Sequence, residues 1–362
     1  MTLTLIPLSG FLGAGKTTTM VAAAKLLQAR GQRVAVITND QGVDLVDTST
    51  ARQGVEQVDE VTGGCFCCRF EDLAALVDRL LAAGSADTVL IEAVGSCTDL
   101  QATVVRPLRN IYGERLVVAP LTAIVDPLRY RAFAKVWERD EESDVAYLFD
   151  HQVAEADVVA VSKTDLLAAD DLDAVTSLVT DRYPRATVVG YSAATGAGLD
   201  ELVTAWDRDV VGEWDVAIDY DRYARAEAEL AWLNAGFTVT GTLFDLTTWC
   251  RTVTEVIHAR CRASEHLVGH VKVRGSAPEG VVKLSLVGGE PVLDEGLDST
   301  VMVARVVVNA RASCEPAEMD AILADGVAEA DRICATDTTP EADVASFKPG
   351  YPRPVHRVSA RT

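Results

Sequence analysis

The chain has 362 residues, of which 49% are hydrophobic and 24% charged, a globular composition with enough length for about two domains. Its 33 basic and 54 acidic residues give a formal net charge of −21, which disfavours binding to nucleic acids and to anionic membranes. No run of about 18 apolar residues and no basic, cleavable leader occur in the sequence, which predicts a cytoplasmic protein with eight reduced cysteines.

Short apolar runs of strand length alternate with amphipathic stretches through the first two hundred residues. The predicted strands span residues 3–8, 33–38, 87–91, 116–125, 157–161 and 186–191. The predicted helices span residues 18–30, 70–83 and 170–182. Strands that alternate with helices form right-handed crossovers, which predicts a doubly wound α/β domain with a mostly parallel sheet at residues 1–206.

The character of the sequence changes after this domain. A charged stretch with scattered aromatic residues predicts a linker or bridging helix at 207–235, and residues 236–334 predict a smaller α+β domain. The expected order is strand, helix, three strands and helix, at residues 237–243, 246–262, 270–274, 280–287, 300–310 and 315–333. The tail at 335–362 is rich in Pro, Thr and Arg, and we expect it to be poorly ordered.

A phosphate-binding loop follows the first predicted strand, because residues 10–17 read G-F-L-G-A-G-K-T and match the Walker A (P-loop) pattern. Such a loop wraps backbone N–H groups around phosphates at a helix N-terminus. We expect Lys16 to bridge the β- and γ-phosphates and Thr17 to bind Mg²⁺. The predicted nucleotide contacts in this segment are Gly10, Gly13, Ala14, Gly15, Lys16, Thr17 and Thr18.

Guanine recognition is predicted by the sequence S-K-T-D, which follows the apolar run at 157–161. The carboxylate of Asp165 can accept from both donors of the guanine edge, a pair that adenine lacks. Ser162 stands where Asn is usual, and Lys163 can lay its stem over the base. Ser192 and Ala193, after the next strand, are expected to contact the guanine oxygen through the backbone.

A carboxylate also ends the strand predicted at 87–91, where the sequence continues E-A-V-G. We expect Glu92 to act as the Walker B residue that reaches Mg²⁺, together with Thr17. The backbone N–H of Gly95 is expected to sense the γ-phosphate.

Three cysteines crowd into the four positions 65–68, where the sequence reads C-F-C-C before a predicted helix. Cys65, Cys67 and Cys68 can offer three thiolates to a borderline or soft ion such as Zn²⁺, Co²⁺ or Cu⁺. The helix N-terminus favours the thiolate form. Three ligands leave an open position, which suits delivery of an ion better than permanent binding. The remaining cysteines are interpreted as core or incidental residues: Cys97, Cys250, Cys261, Cys314 and Cys334.

The order G-F-L-G-A-G-K-T-T, N-D-Q-G-V-D, G-G-C-F-C-C, E-A-V-G and S-K-T-D resembles the CobW family of metallochaperone GTPases, from about residue 5 to residue 206. The resemblance implies GTP-dependent handling of a transition metal, zinc most often and cobalt or iron in some members. It also implies that Cys65, Cys67 and Cys68 are the ligands of that metal. Asp40 stands where the family often has Glu, near Mg²⁺ and the metal, and joins Lys16 and Glu92 in the expected catalytic set; Asp44 is a weaker candidate.

The sequence departs from the family pattern in three places. The family tends to continue with small residues and Pro after the position of Gly95, whereas this chain has S-C-T-D at 96–99. Ser162 replaces Asn, and the histidine-rich tract of the family is missing from the second domain. We interpret His258, His266 and His270 as surface or packing residues.

Three functions remain open on these residues. The first is a GTPase that loads a metal into a client metalloprotein, with a nucleotide-dependent homodimer as one form of the switch. The second is a metal buffer or sensor whose affinity GTP tunes. The third is a P-loop kinase or a GTP-dependent activator of a corrinoid enzyme or nitrile hydratase.

Overall fold

The structure is a computed structural model that describes residues 2–39, 46, 51, 54, 55, 57–139, 141–208, 214–342 and 344–360. The chain divides into two compact units. The first unit comprises Met1–Gln41, Asp47–Ala226 and Tyr351–Thr362. The second comprises Gly42–Val46 and Glu227–Gly350. Asp40 and Asp44, two of the predicted site residues, lie outside the described residues.

The first unit is built on a parallel sheet with strand order β3-β2-β4-β1-β6-β7-β8, in which β5 also pairs with β1. The strands are β1 (Leu3–Ser9), β2 (Val34–Asn39), β3 (Gln57–Val61), β4 (Thr88–Glu92), β5 (Leu116–Val118), β6 (Thr122–Val125), β7 (Val158–Val161) and β8 (Thr187–Gly190). Every residue of β2, β4, β6 and β7 is buried, as is typical of parallel strands covered on both faces.

In the described part of the unit, helices lie between the strands of this sheet or follow the last of them. They are α1 (Lys16–Ala29), α2 (Phe70–Ala83), α3 (Arg106–Tyr112), α4 (Pro127–Glu138), α5 (Asp144–Ala154), α6 (Ala169–Arg182), α7 (Leu199–Ala205) and α8 (Tyr220–Ala228). Leu27 of α1 and Leu202 of α7 belong to one core cluster with Val34 and Leu90 of the sheet. The predicted doubly wound α/β domain is therefore confirmed.

The parallel register places the candidate site residues along one edge of the sheet. Leu8 of β1 pairs with Glu92 of β4 and with Thr122 of β6, while Val161 of β7 pairs with Gly190 of β8. The carboxyl ends of β1, β4, β7 and β8 thus meet at the edge where nucleotide sites of doubly wound folds lie.

The second unit is a separate antiparallel sheet with strand order β12-β11-β10-β13-β9-β14. Its elements are β9 (Ala231–Phe244), α9 (Leu246–Ala263), β10 (Val268–Ala277), β11 (Gly280–Leu286), β12 (Val292–Glu295), β13 (Val301–Ala312), α10 (Pro316–Cys334) and β14 (Thr336–Pro340). Trp249 and Ile257 of α9 join Met319 and Ile322 of α10 in its core, which confirms the smaller α+β fold.

The structure differs from the sequence-based prediction at several segments, and two of its strands, β3 and β12, were not predicted. The single strand predicted at 116–125 is two strands, because Pro120 stands between β5 and β6 and lacks a backbone donor. β9 begins at Ala231, inside the segment predicted as a linker. The tail predicted as poorly ordered contains β14, which pairs with β9. Its last described residues belong to the first unit, where the Val355 N–H donates to Cys67 O at 2.9 Å.

Among the described residues, none of the helices combines the length and the apolar character that a membrane span requires.

Candidate functional site: a phosphate loop and a cysteine cluster

The phosphate-binding loop connects β1 to α1 and has the backbone that its glycines allow. Gly10 has φ +128°, and a Cβ there would overlap the carbonyl oxygen of Ile124, so only glycine fits. Helix α1 begins directly after Gly15, with Thr17 buried and Thr18 exposed in its first turn. Gly13 and Ala14 lie within the loop. The N-terminus of α1 therefore presents its first backbone N–H groups to the loop, an arrangement that binds anions.

Lys16 and Thr17 are held by the loop and by strand β4. The Lys16 ammonium donates to the carbonyl oxygens of Gly10 (2.7 Å) and Phe11 (3.3 Å), across the mouth of the loop. The Thr17 hydroxyl donates to the Glu92 carboxylate at 2.9 Å to Oε2 and 3.2 Å to Oε1. A hydroxyl and a carboxylate side by side are the hard oxygen donors that Mg²⁺ takes, so these two residues fit that ion.

Gly95 approaches the phosphate loop closely after strand β4. A Cβ on Gly95 would lie 3.0 Å from the backbone N and Cα of Leu12, so the two backbones touch. The side chain of Gln152 on α5 donates to the carbonyl oxygens of Gly95 (3.0 Å) and Cys97 (2.8 Å). The segment after Glu92 is thereby fixed between the phosphate loop and α5.

The predicted guanine-binding residues lie beside the same loop. The Ser162 hydroxyl is 2.9 Å from the Ala14 carbonyl oxygen and 3.1 Å from that of Val125, so this short side chain still braces the loop. The Lys163 ammonium donates to Gly13 O (3.1 Å) and to the Asp126 carboxylate (2.7 Å). The Asp165 side chain is exposed, as a group that receives a base from solvent must be.

The segment after β8 completes this edge of the sheet. Ser192 is fully buried and its hydroxyl accepts the Thr195 N–H at 3.1 Å, which forms a turn. Ala193 is half-buried. The backbone of Thr164 donates to Tyr191 O at 3.3 Å, so the segments that follow β7 and β8 are in contact.

The cysteine cluster forms one turn that leads into α2. Cys65 Sγ lies 2.8 Å from Cys67 Sγ, and Cys67 Sγ lies 3.8 Å from Cys68 Sγ. All three sulfurs lie within 4.8 Å of one another, and no other group of three His, Cys, Asp or Glu ligand atoms converges in this way among the described residues. Cys65 and Cys67 are buried and Cys68 is half-buried.

The three sulfurs are of the type that binds a tetrahedral zinc ion. Zn–S bonds of about 2.3 Å place thiolate sulfurs about 3.8 Å apart around tetrahedral zinc. The Cys67–Cys68 distance of 3.8 Å matches this spacing, whereas Cys65 and Cys67, at 2.8 Å, would have to separate to share the ion. Hydrogen bonds from Cys67, Cys68 and Cys97 lower the pKa of Cys65, which favours its thiolate. Hydrogen bonds with Cys65, Cys68 and Cys97 raise the pKa of the Cys67 thiol.

Strand β2 holds the cysteine turn through Asn39. Asn39 Nδ2 donates to the carbonyl oxygens of Val61 (3.0 Å) and Gly64 (2.8 Å), and its Oδ1 accepts the Phe66 N–H at 2.9 Å. The sequence analysis includes Asn39 in the segment N-D-Q-G-V-D but assigns no role to its side chain. It also assigns no role to Asp126 and Gln152, and it interprets Cys97 as a core or incidental residue.

The histidines of the second unit form no metal site among its described residues. His266 Nε2 lies 2.9 Å from the Glu318 carboxylate, and His258 Nδ1 lies 3.5 Å from that of Glu290. His270 is buried in β10.

Comparison with known proteins identifies the nucleotide-binding part of the chain. Residues 4–190, just over half of the sequence, match the profile of the family described as CobW/HypB/UreG, nucleotide-binding domain.

Curated relatives match over similar parts of the chain. The zinc chaperone CobW of Pseudomonas aeruginosa is 30% identical over 204 residues, which cover 50% of this chain and 54% of that protein. The zinc-regulated GTPase metalloprotein activator 1 of Schizosaccharomyces pombe is 26% identical over 225 residues, covering 58% of this chain and 51% of that protein. The zinc chaperone YjiA of Escherichia coli is 30% identical over 165 residues, covering 44% and 48%. The chain spans about half the length of the curated relatives it matches.

Proposed function

Because the chain belongs to the CobW/HypB/UreG family through its nucleotide-binding domain, we propose that it is a GTP-hydrolysing metallochaperone that loads zinc into a client metalloprotein. One observation carries the proposal: a single side chain, Asn39, links the end of a strand of the nucleotide-binding sheet to the turn that bears the three cysteines. The names of the relatives, two zinc chaperones and a zinc-regulated GTPase metalloprotein activator, support zinc as the cargo.

The phosphate loop would bind and polarise the triphosphate. Lys16 would leave its two carbonyl partners for the β- and γ-phosphates, where its charge stabilises the negative charge that develops in hydrolysis. Thr17 and Glu92 would hold Mg²⁺, which neutralises phosphate charge when bound. Asp40, expected near both ions, remains part of the proposed catalytic set.

The guanine base would bind beside Lys163 and Asp165. Asp165 is exposed in the segment that follows β7, and the contact of the Ser162 hydroxyl with the Ala14 carbonyl oxygen keeps this segment against the loop that would hold the phosphates. Ser192 and Ala193 would complete the base site through the backbone.

Zinc would bind to the thiolates of Cys65, Cys67 and Cys68, which is why we place this function in the cytoplasm, where cysteines stay reduced. The net charge of −21 makes a protein client a better partner than nucleic acid or an anionic membrane. A nucleotide-dependent homodimer is a further proposal for how the two sites communicate.

Hydrolysis-driven release of zinc separates this function from a GTP-tuned buffer. Protein loaded with one zinc ion is mixed with Mg²⁺ and a chromophoric zinc chelator, and zinc transfer is followed with GTP, with a non-hydrolysable GTP analogue and with GDP. We expect transfer to accelerate with GTP and to stall with the analogue. Lys16→Ala should stall with GTP as well, since it removes the charge at the γ-phosphate.

Equal transfer rates under the three nucleotides, with GTP consumed, would support the buffer or sensor. An activator of a corrinoid enzyme or nitrile hydratase would hydrolyse GTP without the zinc transfer, and cobalt or iron in the purified protein would favour it.

A further inference from the structure

Cys97 lies against the cysteine cluster although it comes from a different strand end. It follows β4, whereas Cys65, Cys67 and Cys68 follow β3. Its thiol hydrogen-bonds to the side chains of both Cys65 and Cys67, although it lies outside the group of three sulfurs that are all within 4.8 Å of one another. Its side chain is 1% exposed, so solvent does not reach it.

The backbone of Cys97 is fixed in this position. Its N–H donates to Val94 O at 2.9 Å, and its carbonyl oxygen accepts the Gln152 side chain at 2.8 Å. The next residue, Thr98, donates from its hydroxyl to the buried carboxyl group of Glu155 at 3.1 Å. The sulfur is therefore presented by a rigid segment, which is the condition for a preorganised metal ligand.

We propose that Cys97 is a fourth thiolate ligand, so that the ion bound by Cys65, Cys67 and Cys68 sits in a closed tetrathiolate site. This inference rests on the proposed function, because it assumes that the cysteine cluster binds the metal. A tetrahedral ion with four sulfur ligands has no position for water, which is the arrangement of sites that retain zinc. The open position expected from the sequence would then exist only when Cys97 is withdrawn.

The position of Cys97 gives the nucleotide a way to withdraw it. Cys97 is two residues from Gly95, whose backbone touches that of Leu12 in the phosphate loop. A nucleotide-dependent shift of Gly95 away from its position in this structure would move Cys97. The Zn–S bond to Cys97 would break and its thiolate would take a proton from water. A donor atom of the client would then form the new bond to zinc, so the ion keeps four ligands.

X-ray absorption of the zinc-loaded wild-type protein, without nucleotide, counts the ligands directly. We expect four sulfurs at about 2.3 Å. Three sulfurs with one oxygen or nitrogen at about 2.0–2.2 Å would overturn the proposal.

Variants assign the fourth sulfur to Cys97. Cobalt-substituted Cys97→Ala should show three sulfurs and about three-quarters of the thiolate-to-cobalt charge-transfer absorption per bound ion, because one of four thiolates is gone. Cys250→Ala is the matched control, since it removes another fully buried cysteine but from the second unit, and should leave four sulfurs. An unchanged sulfur count in Cys97→Ala would overturn the assignment.

The same measurements distinguish a failure of this inference from a failure of the proposed function. Zinc bound by three sulfurs in the wild type contradicts the Cys97 ligand alone. Zinc that still binds stoichiometrically after Cys65, Cys67 and Cys68 are all changed to Ser contradicts the proposed cargo site itself.

Discussion

The Oδ1 atom of Asn39 accepts the backbone N–H of Phe66 at 2.9 Å, so the last residue of β2 holds the middle of the cysteine turn. The same side chain donates to Val61 O and Gly64 O, and it is only 6% exposed. Three backbone groups of the turn and its approach thus depend on one amide that water does not reach.

Asn39→Ala should weaken zinc binding without removing a ligand. Loss of the amide leaves buried backbone groups without partners and costs about 1–3 kcal/mol of unfolding free energy. Because residues that orient metal ligands affect affinity, we expect zinc affinity to fall about 10- to 100-fold. Competitive titration with a chelator measures the affinity.

Asn234→Ala provides the control for Asn39→Ala. Asn234 Oδ1 accepts from Asn309 (2.9 Å) and Arg311 (3.0 Å) in the second unit, so this variant also loses hydrogen bonds. It should lower stability and leave zinc affinity unchanged. Equal zinc affinities in wild type and Asn39→Ala would show that the turn holds its shape without the amide.

Asp165→Asn should change the base that the protein prefers. The carboxylate accepts two donors of guanine, whereas the amide can donate to the oxygen that replaces the amino group in xanthine. We expect GTP affinity to fall about 100-fold or more and affinity for xanthosine triphosphate to rise, measured by nucleotide titration. Asp170→Asn, an exposed carboxylate at the start of α6, should bind GTP as the wild type does. A wild type that binds ATP and GTP equally would remove the guanine assignment.

The sequence predicts those parts of the site that consist of contiguous residues. The phosphate loop depends on glycines and Lys16 within eight positions, and the cysteine turn on three cysteines within four, so each can be recognised from spacing. Strand order then places Glu92 and Ser162 beside the loop, because parallel strands end at one edge.

Contacts between residues that are far apart in the sequence cannot be predicted from such local spacing. Cys97 meets Cys65 across a sequence separation that spans all of α2 and β4, and nothing in the spacing of single cysteines indicates it. The tail has the composition of a disordered segment, yet the Arg353 N–H donates to Cys68 Sγ at 3.3 Å. Its order comes from partners far away in sequence, which composition does not reveal.

Removal of residues 351–362, the last part of the tail, should expose Cys68. In the first unit the tail contacts the cysteine turn through Arg353 and Val355, and the Arg357 guanidinium pairs with the Asp99 carboxylate at 2.8 Å. A chain stopped after Gly350 should therefore react faster with iodoacetamide at Cys68 when metal-free. Cys334, half-buried in the second unit, is the internal control and should react at the same rate in both proteins. Peptide mass spectrometry follows each site, and an unchanged rate at Cys68 would mean that the tail does not shield it.

Glu155 should make the protein less stable as the pH rises. Burial raises the pKa of this carboxyl to about 8 from the ordinary value of 4.5, while Gln101 N–H (3.0 Å) and the Thr98 hydroxyl (3.1 Å) donate to it. Between these two pH values the folded chain holds a proton that the unfolded chain has lost. The unfolding free energy therefore falls with rising pH, by up to about 1.4 kcal/mol per unit from this group.

Glu155→Gln tests this pH dependence because the amide keeps the shape and cannot ionise. Urea unfolding between pH 5 and pH 8 should show the variant gaining stability relative to the wild type as the pH rises. Parallel stability curves for the two proteins would contradict the buried, protonated carboxyl.

Zinc and nucleotide should bind with a reciprocal free-energy coupling, because Asn39 and Cys97 each join the cysteine cluster to a segment at the nucleotide edge of the sheet. If a non-hydrolysable GTP analogue with Mg²⁺ changes zinc affinity by some factor, zinc must change affinity for that analogue by the same factor. We expect each affinity to change by about 5- to 150-fold, which corresponds to a coupling free energy of about 1–3 kcal/mol.

Zinc titrations with the analogue, with GDP and without nucleotide give one side of the cycle, and nucleotide titrations with and without zinc give the other. Asn39→Ala should reduce the coupling while nucleotide affinity in the absence of zinc stays as in the wild type. Identical zinc affinities with the analogue, with GDP and without nucleotide would contradict the coupling. The metal site and the nucleotide site would then be independent sites in one domain.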